Sequence, residues 1–220
     1  MRKIYSAALY AIMPLIVLRL AWRGTRAPAY WQRWKERFGY LPFDPGSGAI
    51  WIHAVSVGEA QAAVPLVAAL RERYPERAIV VTTTTPTGSE RVREALGGAV
   101  LQAYLCYDAP GMVRRFLDRL QPAIALIMES EIWPNLFYQC RRRGIPAMIV
   151  NGRLSPQSTV RYRRLPGFTS STLHQLSAVA VQSEIDAARY LRIGADPART
   201  HVTGSIKFDV VPPAAALDTG

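Results

Sequence analysis

From Ala49 onward, short continuous apolar runs alternate with stretches whose apolar positions recur every three or four residues. The first pattern is that of strands buried on both faces; the second is that of helices packed through one stripe. Strands are predicted near Ile50–Ala54, Ala78–Thr83, Val100–Leu105, Ala123–Met128, Ala147–Val150 and Ala178–Val181, with a shorter one at His201–Thr203. Their spacing of about 20–30 residues matches one strand–helix unit. A helix is expected over Glu59–Arg73, striped by Ala63, Leu66, Val67 and Leu70, where Pro65 should kink it or mark its true start. Thr85 before Pro86 reads as a cap followed by proline at the first helical position, and Gly97-Gly98 as that helix's end. Asp108 or Ala109 opens a helix over Pro110–Leu120, which Pro122 closes, and Gly144 ends the helix that carries Arg141, Arg142 and Arg143. The expected fold is α/β: a Rossmann-like, doubly wound parallel sheet of about six or seven strands.

The N-terminus breaks this rhythm. Arg2 and Lys3 precede the apolar run Ile4–Leu18, and Arg19, Arg23 and Arg26 follow it. The run is about fifteen residues, short of the roughly 20 that span hydrocarbon. No small-residue cleavage site follows, which argues against a removed signal peptide. Three readings stand: a tilted or shallow membrane anchor, a basic amphipathic helix lying in the interface, or a terminal helix packed on the core. Tyr30, Trp31 and Trp34 sit among Arg26, Arg33, Lys35 and Arg37, a mixture suited to a lipid headgroup zone. The chain thus divides into an anchor or interfacial helix at 1–26, a basic aromatic segment and linker at 27–48, a Rossmann-like domain at 49–211, and a linker at 212–220.

Composition sharpens the partner classes. The 220 residues hold 27 Lys+Arg against 16 Asp+Glu, a formal charge of +11, which favours nucleic acid, anionic lipid or acidic small molecules. No nucleic-acid-binding pattern accompanies that charge, so nucleic acid is not expected. Cys106 and Cys140 form no CxxC pair, and His53, His174 and His201 lack metal spacing. Reduced, buried cysteines and no metal site are expected, with His53 a packed strand residue. The dinucleotide and Walker glycine patterns are absent.

Four loops at predicted strand ends carry unusual chemistry, and in such sheets ligands bind beyond the carboxyl ends of the strands. Ser56-Val57-Gly58-Glu59 places a carboxylate at a helix start, either as a group facing a substrate crevice or as a first-turn acid favoured by the helix dipole. Thr82 to Ser89, with Thr84, Thr85, Gly88 and Ser89, is dense in hydroxyls and backbone donors at a helix opening; it can hold an anion or sugar, or be a capped turn. Glu129-Ser130-Glu131 sets two acids after a buried strand, where burial and repulsion raise a carboxyl pKa, or where the pair satisfies helix donors. Asn151-Gly152-Arg153 offers Arg153 as a clamp for phosphate or carboxylate.

The order of these motifs resembles one family. Glu36-Arg37-Phe38-Gly39, His53 to Glu59, Thr82 to Ser89, Met128-Glu129-Ser130-Glu131-Ile132-Trp133-Pro134-Asn135, Asn151 to Ser155 and Gly204 to Asp209 together look like the N-terminal half of a 3-deoxy-D-manno-octulosonic acid (Kdo) transferase. The resemblance implies a GT-B glycosyltransferase at the cytoplasmic face of the bacterial inner membrane. It implies transfer of Kdo from CMP-Kdo to the lipid A precursor with inversion, no cofactor, and anionic membrane lipid as a further partner. It also implies that Glu59 is the general base, that Glu129 and Lys207 stabilise the transition state, and that Glu131 orients its neighbours. Ser130 replaces the family's usual threonine and keeps the hydroxyl. Family members run to about twice this length, so the donor-binding half is expected to be missing and the isolated chain inactive. A GT-B transferase using another sugar nucleotide and a catalytically silent membrane-binding module are the alternatives.

Overall fold

Each apolar run forms a strand, and all the strands pair in parallel. In the computed structural model, which describes residues 1–206, these are β1 (Ala49–His53), β2 (Ile79–Thr83), β3 (Leu101–Tyr104), β4 (Pro122–Met128), β5 (Ala147–Gly152), β6 (Ala178–Val181) and β7 (Thr200–Val202). The sheet order is β3-β2-β1-β4-β5-β6-β7. Its helices are α1 (Arg2–Arg26), α2 (Val57–Arg73), α3 (Pro86–Leu96), α4 (Pro110–Leu120), α5 (Pro134–Arg142), α6 (Pro156–Arg163), α7 (Pro166–Leu173) and α8 (Glu184–Arg192). The chain winds outward from β1 to β3, returns through α4 to β4 on the other side of β1, and then proceeds to β7. Right-handed crossovers therefore place α2 and α3 on one face and the later helices on the other. Two apolar layers show this division: Ala60, Ala63, Val67 and Val92 meet Ile50, Ile52 and Val81 on one side. Phe116, Leu117, Phe137, Leu173 and Tyr190 meet Trp51, Val80 and Ile149 on the other. The indole of Trp51 is fully buried, and its Nε1 donates to Thr82 Oγ1 at 2.8 Å, which satisfies its one polar atom.

Local signals and outcome differ in a few places. Thr85 caps α3 by accepting from Gly88 N–H, with Pro86 at the first helical position. Pro65 does not start its helix: α2 begins at Val57 behind the N-cap Ser56 and runs through Pro65 to Arg73. Ala109, not Asp108, is the N-cap of α4. Asp108 instead reaches across to α5, accepting from Asn135 N–H at 3.0 Å and Leu136 N–H at 2.8 Å.

The segment before β1 is docked rather than a simple linker. It forms two 3-10 turns, Pro28–Tyr30 and Trp34–Phe38. Glu36 and Arg37 are buried within the second. Gly39, at φ +88°, ends that turn so close to α4 that a Cβ would stand 2.4 Å from the Met112 carbonyl oxygen.

Helix α1 has 25 residues and is apolar enough to cross a membrane by length and composition. Yet it lies against the domain along its length. Ser6 Oγ donates to Asn135 Oδ1 at 3.0 Å, and so does Arg2 Nη1, while Tyr5 stacks near Phe168. Farther on, Tyr10 Oη accepts from Gly111 N–H, and Arg19, Leu20 and Arg23 share a cleft with Thr84 and Thr85. Asn135, Gly111, Thr84 and Thr85 follow the ends of β4, β3 and β2, so α1 lies across the carboxyl edge of the sheet. Only Ser6, Leu20 and Gly24 of α1 are buried, which rules out a core helix. Its outer face carries Ile4, Leu15 and Leu18, each about two-thirds exposed or more (73%, 67% and 66%).

Candidate active site

The strand order reverses between β1 and β4: the chain leaves β1 toward β2 and leaves β4 toward β5. Such a switch point opens a crevice at the carboxyl ends of the two strands. Glu59 stands on one side of it, at the start of α2, and Glu129 to Glu131 on the other, directly after β4.

Glu59 is held firmly. Its Oε2 accepts from Val55 N–H at 2.8 Å, and its own N–H donates to Ser56 Oγ at 3.2 Å. This reciprocal arrangement is that of a capping box, so the first-turn reading of Glu59 is correct as far as it goes. A cap alone does not explain its burial, at 7% exposure. Burial pushes the Glu59 carboxyl above its ordinary value, the charge on Glu129 adds to this, and the bonds from Val55 and Ser56 oppose it. Glu131 is raised to about 7 by burial and by the charge on Glu59, against the pull of Arg161.

Glu129 turns the chain out of β4 in a left-handed conformation, φ +55°, unusual for a residue with a long side chain. Two bonds impose it: Glu129 N–H donates to Val150 O at 3.0 Å, and Tyr190 Oη donates to the Glu129 carbonyl at 2.8 Å. Beneath the crevice, His53 is fully buried with Nδ1 2.9 Å from Thr82 Oγ1 and 3.1 Å from Thr82 O. Burial lowers its pKa to about 4, so the ring is neutral at pH 7, a packed strand residue as expected.

The remaining candidate residues distribute on either side of this crevice. Arg153 shares a cleft of about 420 Å³ with Glu129, Ser130, Ser155 and Arg189. Thr84 and Thr85, past the end of β2, line a second cleft of about 390 Å³. Gly58 has open space beside it, with Ser56 Oγ 3.9 Å from where a Cβ would stand. Gly88 serves packing: a Cβ there would stand 3.3 Å from the Val55 carbonyl oxygen, so it lets α3 approach the Glu59 loop. Ser89 is buried and accepts from Arg33 Nη1 at 3.0 Å, which ties α3 to the N-terminal segment instead of presenting a hydroxyl to a ligand. Lys207 lies outside the described residues, as do 208–220.

The model of the family described as 3-deoxy-D-manno-octulosonic-acid transferase (kdotransferase) matches residues 32–210. The chain belongs to this family. It is 39% identical over 211 residues to a 3-deoxy-D-manno-octulosonic acid transferase of Haemophilus influenzae, covering 95% of this chain and 49% of that protein. A Bordetella pertussis protein of the same name is 40% identical over 228 residues, covering 100% of this chain and 52% of its own length. A probable mitochondrial member from Arabidopsis thaliana is 34% identical, with 94% and 47% covered. This chain thus spans about half the length of the Kdo transferases it matches. Solved structures share only its fold. A UDP-GlcNAc 2-epimerase from Neisseria meningitidis bound to UDP-GlcNAc superposes with a TM-score of 0.51 at 13% identity, over 73% of this chain and 48% of that one. A Staphylococcus aureus MnaA–UDP complex gives 0.53 at 15% identity, over 74% and 46%.

Among residues of this Kdo transferase family member that sequence reasoning did not assign to the site, Arg161 and Arg189 stand out. Arg161 tempers Glu131, and Arg189 lines the Arg153 cleft while donating to Leu154 O at 3.0 Å. Both lie in helices the strand-end loops do not include, so no local signal marks them. The coupling of the two acids gives a direct test. In the Glu59→Gln variant, which removes a neighbouring negative charge, the Glu131 midpoint falls below its value of about 7. Carboxyl carbon shifts followed by NMR during a pH titration report it, and an unmoved midpoint refutes the coupling.

Proposed function

We propose that this chain is the acceptor-side half of an inverting GT-B glycosyltransferase that moves Kdo from CMP-Kdo to the lipid A precursor at the cytoplasmic face of the bacterial inner membrane. The observation that carries the reading is the placement of a buried carboxylate, Glu59, held by Val55 N–H, at the topological switch point of a domain belonging to the Kdo transferase family. Glu59 acts as general base. It removes the proton from an acceptor hydroxyl as that oxygen attacks the anomeric carbon of the donor sugar and CMP departs from the opposite face. One carboxylate oxygen is pinned by Val55 N–H, so the group is oriented before the acceptor arrives. Its raised pKa brings it nearer the working pH, where a base is most effective. Glu129 and Lys207 stabilise the developing charge, and Glu131 and Arg153 orient the reactants.

Helix α1 holds the mouth against the bilayer. Contacts at residues 2, 5, 6, 10 and 21, and the cleft that Ile16, Arg19, Leu20 and Arg23 line, leave no free stretch of the roughly 20 residues that crossing requires. It therefore lies in the interface, with its apolar outer face in the lipid and its arginines at headgroup level. Introducing Leu15→Glu and Leu18→Glu together abolishes flotation of the chain with anionic vesicles. It leaves the melting temperature within about 2 °C, because both side chains are exposed. Unchanged flotation refutes the interfacial helix.

The function is tested by joining this chain to the second half of the Haemophilus influenzae relative and supplying labelled CMP-Kdo with the lipid A precursor. The chimera produces a Kdo-bearing lipid identifiable by mass, whereas the 220-residue chain alone produces none. Transfer of a different sugar, or vigorous turnover by the chain alone, overturns the reading.

A further inference from the structure

The second cleft contains a buried guanidinium that feels the charge of Glu36 but is left with unmade hydrogen bonds. Arg37 is only 5% exposed, and its Nε and Nη2 are buried with no hydrogen-bond partner among the described residues. The adjacent acid does not serve it: Glu36 binds Arg33 through both carboxylate oxygens, at 2.8 and 3.0 Å, and accepts from Tyr104 N–H at 2.7 Å. Arg37 rests instead on the Tyr104 ring, 4.3 Å from its centroid. A buried guanidinium is costly unless it is paired and hydrogen-bonded.

What faces this guanidinium is a cleft of about 390 Å³, lined also by Arg19 and Arg23 of α1, by Thr84 and Thr85, and by Tyr107. Ile16 and Leu20 of α1 form its apolar wall. The N-terminus of α3, an 11-residue helix, opens there and adds positive potential. Among the described residues no acid lines the cleft. Three guanidiniums exceed what one carboxylate neutralises, whereas a phosphomonoester carries about −1.5 to −2 at neutral pH and accepts bidentate bonds from arginine. The apolar wall belongs to the helix that rests on lipid, so the phosphate arrives on an amphiphile.

We propose that this cleft is the seat for a phosphate group of the lipid acceptor, with Arg37 at its floor and Arg19 and Arg23 at its membrane-facing rim. The inference rests on the acceptor reading of the domain and adds a recognition element to it. The seat lies past β2, whose neighbour β1 leads to Glu59; paired strands are about 4.8 Å apart. A phosphate held here sets the acceptor's sugar across the end of β1. A bulk phospholipid headgroup presents the same chemistry, so the two sources must be separated by experiment.

The 220-residue chain is titrated with phosphatidylcholine vesicles carrying either the phosphorylated lipid A precursor, the same lipid after phosphatase treatment, or phosphatidylglycerol at equal charge. The wild type prefers the phosphorylated precursor over its dephosphorylated form by about 10- to 100-fold, the range of one or two charge-assisted bonds. Arg37→Met removes that preference, Arg37→Lys restores part of it, and both retain the wild-type melting transition. Arg19→Met with Arg23→Met weakens the precursor and phosphatidylglycerol alike. A folded Arg37→Met protein that keeps the phosphate preference overturns the seat. An equal, Arg37-dependent gain on phosphatidylglycerol overturns the assignment to the acceptor. If the wild type ignores the precursor in both forms, the acceptor reading itself falls, a result distinct from either.

Discussion

Glu59→Gln in the two-half chimera lowers kcat by about 10²- to 10⁴-fold, the range for loss of a positioned general base. Affinity of the chain for the lipid acceptor is unchanged, because glutamine keeps the shape of the side chain and an oxygen for Val55 N–H. That retention separates the cap that Glu59 forms from the base role proposed for it. As a cap it contributes about 1 kcal/mol to stability, most of which glutamine preserves. As a base it contributes proton transfer, none of which glutamine preserves. The pH profile adds a signed prediction. A base must be ionised, so kcat/KM rises with pH through the Glu59 pKa. Burial and the charge on Glu129 move that pKa up, so the acidic limb lies above the ordinary carboxylate value. The variant's residual activity lacks that limb. A variant with near-normal kcat shows that Glu59 is only a helix cap.

Glu36→Ala carries the largest expected loss of stability, about 3 kcal/mol. Glu36 is 3% exposed and satisfies Arg33 and the Tyr104 backbone at once; alanine leaves the Tyr104 N–H without its acceptor and strips Arg33 of its counter-charge, leaving it only the Ser89 and Gln102 oxygens. In a chain of this size the melting temperature falls by roughly 6–12 °C. Removing the exposed Arg91–Glu94 pair, by contrast, changes stability by less than about 0.5 kcal/mol. Thermal melts followed by circular dichroism measure both, and a Glu36→Ala loss no larger than that of the surface pair refutes the argument. The turn that carries Arg37 is anchored by these bonds, so the variant also loses selectivity for phosphorylated lipid.

The features legible in the sequence were those set by neighbours along the chain. Thr85 caps a helix whose N–H three residues on lies within reach of its side chain, and Pro86 restricts its own backbone, whereas the Ser56 cap that starts α2 at Val57 is not read from the sequence. Strands buried on both faces read as continuous apolar runs, and their all-parallel pairing follows from the helices between them. Glu59 and Glu129 could be singled out as candidates because strand-end loops are local features too. Long-range partnerships were not legible. Asp108 reads as a helix opener until the fold brings α5 to it, 27 residues on. Ser89 reads as a loop hydroxyl until Arg33, 56 residues earlier, occupies it. Arg37 reads as one more surface cation. Its burial depends on α1, β3 and the Tyr107 loop converging, and no spacing rule encodes that.

Under the proposed function, the posture of α1 has a consequence for which acceptors can be reached. On that reading, a helix laid across the strand tips and seated on lipid as proposed sets the height of Glu59 above the leaflet, since neither can move without the other. Hydroxyls too deep among the acyl chains, or too far out in water, never meet the base, whatever their intrinsic reactivity. The domain measures depth as well as chemistry, and encounter becomes a lateral search in two dimensions.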